Sequence, residues 1–166
     1  MSGAARTRTI SWEDPSFLPA AGAARGGLAF LRAIAAGELP PPPIMVTLRI
    51  TGLTADEGRV EFECRPDESL FNPLGTVHGG VACALLDTAV ACAGHTTLPP
   101  GVAYTSVDLH VQYLRPVLPE GGPFRAVGRV VKPGRRIIAV AGEMTDAAGR
   151  LVATATSSLL VLEPRG

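Results

Sequence analysis

Asn72-Pro73-Leu74-Gly75-Thr76-Val77-His78-Gly79-Gly80-Val81-Ala82-Cys83-Ala84-Leu85-Leu86-Asp87-Thr88-Ala89-Val90-Ala91-Cys92-Ala93-Gly94 is the stretch on which the reading of this 166-residue chain turns. Between Gly79 and Gly94 the sole charge is Asp87. This apolar run is interrupted by Asp87 and falls short of the roughly 18 residues that a bilayer requires, so it is expected as a buried helix of a folded domain. A carboxylate inside such a helix costs on the order of several kcal/mol unless it is paired or its pKa moves. Asp87 is therefore a candidate chemical group; the competing reading is an Asp that caps a neighbouring element or faces a polar group of a second chain. Gly79-Gly80 at the helix start lets a substrate approach backbone N–H groups that a helix N-terminus leaves unpaired, which suits an oxyanion or a phosphate. A Gly pair alone would equally serve a tight strand-to-helix turn. Asn72, His78-Gly79-Gly80 and Asp87 together are more specific than any one of them.

On either side of this helix the apolar period changes to two. Val46, Leu48 and Ile50 alternate with Thr47, Arg49 and Thr51, and Val60, Phe62 and Cys64 with Glu61, Glu63 and Arg65, with Asp56-Glu57-Gly58 as the turn between the two strands. Val107, Leu109, Val111 and Tyr113 alternate with Ser106, Asp108, His110 and Gln112, so this strand should show one apolar and one wet face. Strands are expected over 124–132, 136–145 and 151–162, punctuated by Pro133-Gly134 and Ala148-Gly149. Short consecutive turns imply an antiparallel meander. Five or six strands and one long apolar helix then give an α+β domain in which a curved sheet wraps the helix. Upstream, Leu28, Leu31 and Ile34 have helical spacing that stops at Gly37, and Pro40 to Pro43 enforce an extended linker. The first 26 residues show no sustained period and read as a mobile or loosely docked arm.

Composition narrows the function classes. The 15 basic residues balance 15 acidic ones, so no global field attracts nucleic acid or an anionic membrane. Hydrophobic residues make up 46% of the chain and charged residues 18%, oilier than a solitary domain needs and suggestive of a subunit interface. Cys64, Cys83 and Cys92 form no CxxC pair and sit in apolar segments, which fits small core residues in a reducing cytoplasm and neither disulfides nor zinc. Arg6 and Arg8 are followed by Ile10-Ser11-Trp12-Glu13-Asp14-Pro15 where a signal peptide would need its apolar core, so a cytoplasmic location is expected. His95 and His110 have no Cys or carboxylate at ligand spacing, and no Gly-x-Ser-x-Gly elbow exists.

The segment from Asn72 to Asp87 resembles the hotdog-fold acyl-CoA thioesterases, in the class with a His-Gly-Gly motif that includes the phenylacetate-degradation type and one hydroxybenzoyl-CoA type. The resemblance runs from about position 41 to 162, through Leu114-Arg115-Pro116, Gly134-Arg135 and Asp146-Ala147-Ala148-Gly149-Arg150. It implies a hotdog domain over 44–163, preceded by the arm at 1–26 and a short helix with Pro-rich linker at 27–43. By that likeness Asp87 is the catalytic carboxylate, Gly79 the oxyanion-hole N–H, Asn72 the side chain that places the thioester or water, and His78 the residue that orders the loop. Thr105 matches a Ser/Thr near the carboxylate; Ser106 is adjacent, and a register shift of one exchanges the two. Gly80 and Ser106 are expected to contact substrate, and Arg115, Arg135 and Arg136 to meet the nucleotide phosphates of coenzyme A, unless they are ordinary solvated hairpin charges. The likeness implies no cofactor or metal beyond the CoA carried by the substrate.

Eight residues of helix separate Gly79 from Asp87, about 12 Å at 1.5 Å per residue. A nucleophile and an oxyanion donor must each lie roughly 3 Å from the reacting atoms. In the hotdog fold that the resemblance implies, two such helices meet across a two-fold axis, so a homodimer in which Gly79 and Asn72 of one subunit face Asp87 of the other is the expected catalytic unit, and the same resemblance implies a dimer of dimers. Two other readings compete. A hotdog hydratase would carry Asp five residues before its His, where this chain has Pro73. A non-enzymatic acyl-CoA sensor would have no use for Asp87, and residues 1–26 are too short and too weakly basic for a DNA-binding module.

Overall fold

A computed structural model describes residues 3–162; positions 1 and 2 of the expected arm and position 163 of the expected domain lie outside the described residues. Seven antiparallel strands form one sheet: β1 (Ile50–Asp56), β2 (Arg59–Cys64), β3 (Ala103–Ser106), β4 (His110–Tyr113), β5 (Phe124–Lys132), β6 (Ile137–Thr145) and β7 (Leu151–Leu162). The order across the sheet is β1-β2-β5-β6-β7-β3, with β4 also on β7. Helix α4 (Gly79–His95) enters between β2 and β3 in sequence and lies in the curl of the sheet. This is the hotdog arrangement, and it follows from a helix whose Val81, Ala82, Leu85, Leu86, Ala89 and Val90 are all buried against sheet residues such as Phe62, Phe124, Ile138 and Leu159. Full burial of a Leu or Val contributes about 1.5–3 kcal/mol, so this contact dominates the stability of the domain.

The helix sits unusually close to the sheet because glycines face it. A Cβ at Gly128 would lie 2.0 Å from the Ala89 carbonyl oxygen, and one at Gly142 would lie 2.7 Å from Val90 Cγ1. Any side chain at Gly128 would push α4 off the sheet. The open side of α4 is a stripe of half-buried residues, Cys83, Ala84, Asp87, Thr88, Cys92 and His95, and it carries the carboxylate.

The alternating segment expected as one strand is broken, which accounts for seven strands rather than five or six. Ser106 pairs with Leu159 and His110 with Thr156, so four steps on one strand face three on the other. That extra residue is a β-bulge. Its ties are the Val107 N–H to the Ser158 oxygen at 3.0 Å, the Ser158 N–H to Asp108 Oδ1 at 2.7 Å, and the Ser157 hydroxyl to the Asp108 carbonyl at 2.7 Å. The consequence is a change of face: Ser106, Val111 and Tyr113 all stand opposite inward residues of β7 (Leu159, Ala155 and Ala153), although 106 and 113 differ in parity.

Two N-terminal expectations also change. The strand expected from Val46 begins at Ile50, because Pro43 starts a short helix, α3 (Pro43–Thr47), that buries Met45 and is followed three residues on by its buried C-cap Leu48. Arg49 then adopts φ 57°, held by its side chain on the Arg65 carbonyl at 2.7 Å and on Asp67 at 2.8 Å. In the stretch read as an arm, helix α1 (Leu18–Arg25) packs on α2 (Gly27–Ala35), and Arg8 donates to the Val46 and Thr47 carbonyls at 3.0 and 3.1 Å. α2 ends as expected beside Gly37, which takes φ 75°.

Candidate active site

The start of α4 is built by its own first residues. His78 is the N-cap, with extended backbone, and its Nδ1 accepts the Gly80 N–H at 2.8 Å, while its carbonyl accepts Val81 N–H at 2.9 Å. The His78 N–H in turn donates to the Leu70 carbonyl at 2.9 Å. His78 thus orders the loop. Gly80, expected to contact substrate, has its N–H committed to that cap. The Gly79 N–H has no partner among the described residues, and it is the N–H of the helix start left for a ligand.

Asn72 lies across the same cleft from the helix start, but its side chain is largely spent on its own loop. Its Oδ1 accepts the Leu74 and Thr76 N–H groups at 2.9 and 3.2 Å, and its Nδ2 donates to Thr76 Oγ1 at 2.8 Å. One amide hydrogen is left over. The cleft, about 330 Å³, is lined by Asn72, Gly79, Tyr113, Leu114 and Arg115. Tyr113, which sequence reasoning placed merely on an apolar strand face, donates its hydroxyl to the Gly79 carbonyl at 3.0 Å, and its ring lies 3.4 Å from where a Cβ at position 79 would be.

Asp87 is half-buried on the open side of α4, two turns beyond Gly79, rather than sealed inside the chain. Its carboxylate meets the Ser106 hydroxyl at 3.5 Å. Here the structure corrects the register: Thr105, expected near the carboxylate, pairs with the outward Leu160, and its hydroxyl donates to the Ser106 carbonyl at 3.4 Å. Ser106 takes the position next to Asp87. Tyr104, on the same face as Ser106, has its phenol pushed well above the usual range by burial, with Cys92 and Asp87 adding to it.

The arginines are not brought together within one chain. Arg115 lines the cleft at the start of α4 and donates to the Leu151 carbonyl, whereas Arg135 lines a separate cleft of about 870 Å³ with Thr97, Leu98 and Pro99, beyond the helix's far end. Arg136 is exposed on the same hairpin, its carbonyl accepting the Val161 N–H at 2.9 Å. The 17 residues of α4 span about 25 Å, so these groups stand at opposite ends of the helix. Among the described residues no three His, Cys, Asp or Glu side chains gather as a metal site, and no helix is long and apolar enough to cross a membrane. Burial pushes the Cys64 thiol up to about 11 and that of Cys92 up to about 12.

Comparison with known proteins follows the same lines. Residues 74–153 match the family described as the thioesterase superfamily. Acyl-coenzyme A thioesterase 13 of Homo sapiens is 31% identical over 110 residues, covering 63% of this chain and 74% of that protein. Among solved structures, a thioesterase family protein from Silicibacter pomeroyi superposes with a TM-score of 0.69 at 30% identity, over 80% of this chain and 96% of that one. A phenylacetic acid degradation-related protein from Ralstonia eutropha JMP134 gives 0.70 at 31% identity, over 78% and 98%.

Proposed function

This chain belongs to the thioesterase superfamily and is a thioester hydrolase, and on that footing we propose that it hydrolyses acyl-CoA thioesters as a member of the His-Gly-Gly class. The observation that carries this reading is the uncommitted Gly79 N–H at the head of α4, with the Asp87 carboxylate two turns along the open side of the same helix. An N–H backed by a helix dipole polarises a thioester carbonyl and takes up the charge that develops on its oxygen. Asp87 supplies the other half of the chemistry. It either removes a proton from water, which attacks the carbonyl carbon, or attacks that carbon itself to give a mixed anhydride that water then opens. In both routes the C–S bond breaks, CoA leaves as its thiol, and one water is consumed for each free acid formed.

Gly79 and Asp87 of one helix, about 12 Å apart, cannot both reach one carbonyl. The catalytic unit is therefore a homodimer in which the open stripe of α4 meets its copy, so that Asn72 and Gly79 of one protomer face Asp87 and Ser106 of the other. Closure of that face also withdraws Asp87 from water. Arg115 at one end and Arg135 and Arg136 at the other are then available from different protomers for the CoA phosphates, and no cofactor enters. The test is thiol release from a panel of short, long and aryl acyl-CoA thioesters, read together with the mass of the protein in solution. Turnover of at least one of them by a dimer or tetramer is expected. No thiol release from any, with folded protein, overturns the reading.

A further inference from the structure

We propose that Tyr113 is a positioning residue for the oxyanion donor, fixing the 79–80 peptide from the side opposite His78 so that the Gly79 N–H is held toward the cleft. This inference rests on the reading of Gly79 given above. The 79–80 peptide is gripped at both of its polar atoms: the Gly79 carbonyl accepts the Tyr113 hydroxyl at 3.0 Å, and the Gly80 N–H donates to His78 Nδ1 at 2.8 Å. The preceding peptide carries the Gly79 N–H, and its His78 carbonyl, as the N-cap of α4, accepts the Val81 N–H at 2.9 Å. Two adjacent glycines give this segment soft torsions, and a donor that rotates by a few tens of degrees loses most of its electrostatic value. The external ties add to what the first turn of the helix itself supplies.

The Tyr113 side chain is suited to the task. It comes from β4, whose register is set on β7 and which faces α4 because of the bulge at 107–109. Its ring covers Gly79 at van der Waals distance, so any side chain at 79 would crowd it. A phenol is a donor through neutral pH in any case, and burial, reinforced by the neighbouring Cys83, holds this one above its ordinary value. It also lines the cleft that holds Gly79 and Asn72, which places the tie next to the reacting carbonyl rather than behind the helix.

The experiment is Tyr113→Phe, which deletes one hydroxyl and keeps the ring on Gly79. Turnover with the best acyl-CoA substrate should fall roughly 5- to 20-fold in kcat with KM within about twofold, since the donor acts mainly in the transition state. Amide hydrogen exchange at Gly80 should quicken several-fold in the free protein, while the thermal midpoint moves little. Unchanged kcat with unchanged exchange overturns the proposal, as does a change confined to KM. A lowered thermal midpoint with kcat intact assigns the hydroxyl to stability and overturns it too. Asp87→Asn measured in parallel separates the two readings: if it is inactive while Tyr113→Phe matches wild type, the thioesterase reading stands and the positioning role falls. Should the wild type release no thiol at all, the exchange at Gly80 still decides whether Tyr113 fixes the peptide.

Discussion

The Ser106 hydroxyl stands 3.5 Å from the Asp87 carboxylate, joining the edge of the sheet to the open stripe of the helix it wraps. Nothing else among the described residues hydrogen-bonds Asp87 through a side chain, so the carboxylate is held by one weak tie and by packing, and is left able to take a proton or an acyl carbon. Asp87→Asn keeps the volume and the Ser106 contact but removes the charge. Turnover should fall by at least about 100-fold, equivalent to roughly 2.7 kcal/mol, with an unchanged thermal midpoint. Retention of more than about a tenth of kcat/KM would remove Asp87 from the chemistry.

The same contact distinguishes two neighbours. Ser106→Ala should lower kcat about 5- to 30-fold, roughly 1–2 kcal/mol, at the low end of the roughly 1.5–3 kcal/mol of a hydrogen bond to a charged group because the contact is long, at 3.5 Å. Thr105→Ala, on the outward face opposite Leu160, should stay within about twofold of wild type. Steady-state kinetics of the pair checks this, and the opposite ranking would mean that the register at β3 is off by one.

That register shows where sequence reading reaches and where it stops. The helix from Gly79, the hairpins at 133–134 and 148–149 and the strands after 124 were legible because hydrophobic period and turn residues agree with the fold. Asp87, Gly79 and His78 were legible as a spaced set on one helix. Ser106 was legible only as a substrate contact and as the one-step alternative to Thr105, and Tyr113 not at all, because the alternation from 106 to 113 is continuous in sequence while a bulge at 107–109 turns the strand over. Long-range ties reveal it, among them the Ser158 N–H on Asp108. The mixed reading at Val46 to Ile50 has a similar origin: Met45 and Leu48 fit a helical period, Val46, Leu48 and Ile50 a period of two, and Pro43 with the Arg49 ties decides between them.

His78 caps α4 through its ring nitrogen, which sets a stability prediction apart from a catalytic one. His78→Ala should cost about 1 kcal/mol and lower the thermal midpoint by about 2–4 °C, the usual loss of a helix cap in a chain of this size. His78→Asn, whose side-chain oxygen can accept the same Gly80 N–H, should recover most of that midpoint. Activity should follow the midpoint, lower in the Ala variant and largely recovered in the Asn variant, as expected of a loop-ordering residue. If the Asn variant is fully stable yet loses turnover as deeply as Asp87→Asn, the imidazole itself takes part in proton transfer and its role is more than the cap.

The shared site makes the strongest demand on the molecule. Asn72 and Gly79 stand at the head of α4 and Asp87 two turns further on, so in the homodimer proposed above each protomer offers half of a site to its neighbour. Asn72→Ala breaks the three hydrogen bonds that shape the 72–76 loop, and Asp87→Ala removes the carboxylate, so each homodimer should be nearly inactive. In a mixed dimer of the two variants, one interface carries both lesions and the other carries neither. After subunit exchange, activity should rise toward one working site per mixed dimer, about a quarter of wild type when the two variants are mixed in equal amounts and exchange is complete, because half the dimers are mixed and each holds one of two sites. Exchange is followed independently by native mass spectrometry of a tagged chain. If mixed dimers form and the activity stays at the level of the parents, both groups act within a single chain, and the 12 Å along α4 must be bridged by a movement of the helix start instead.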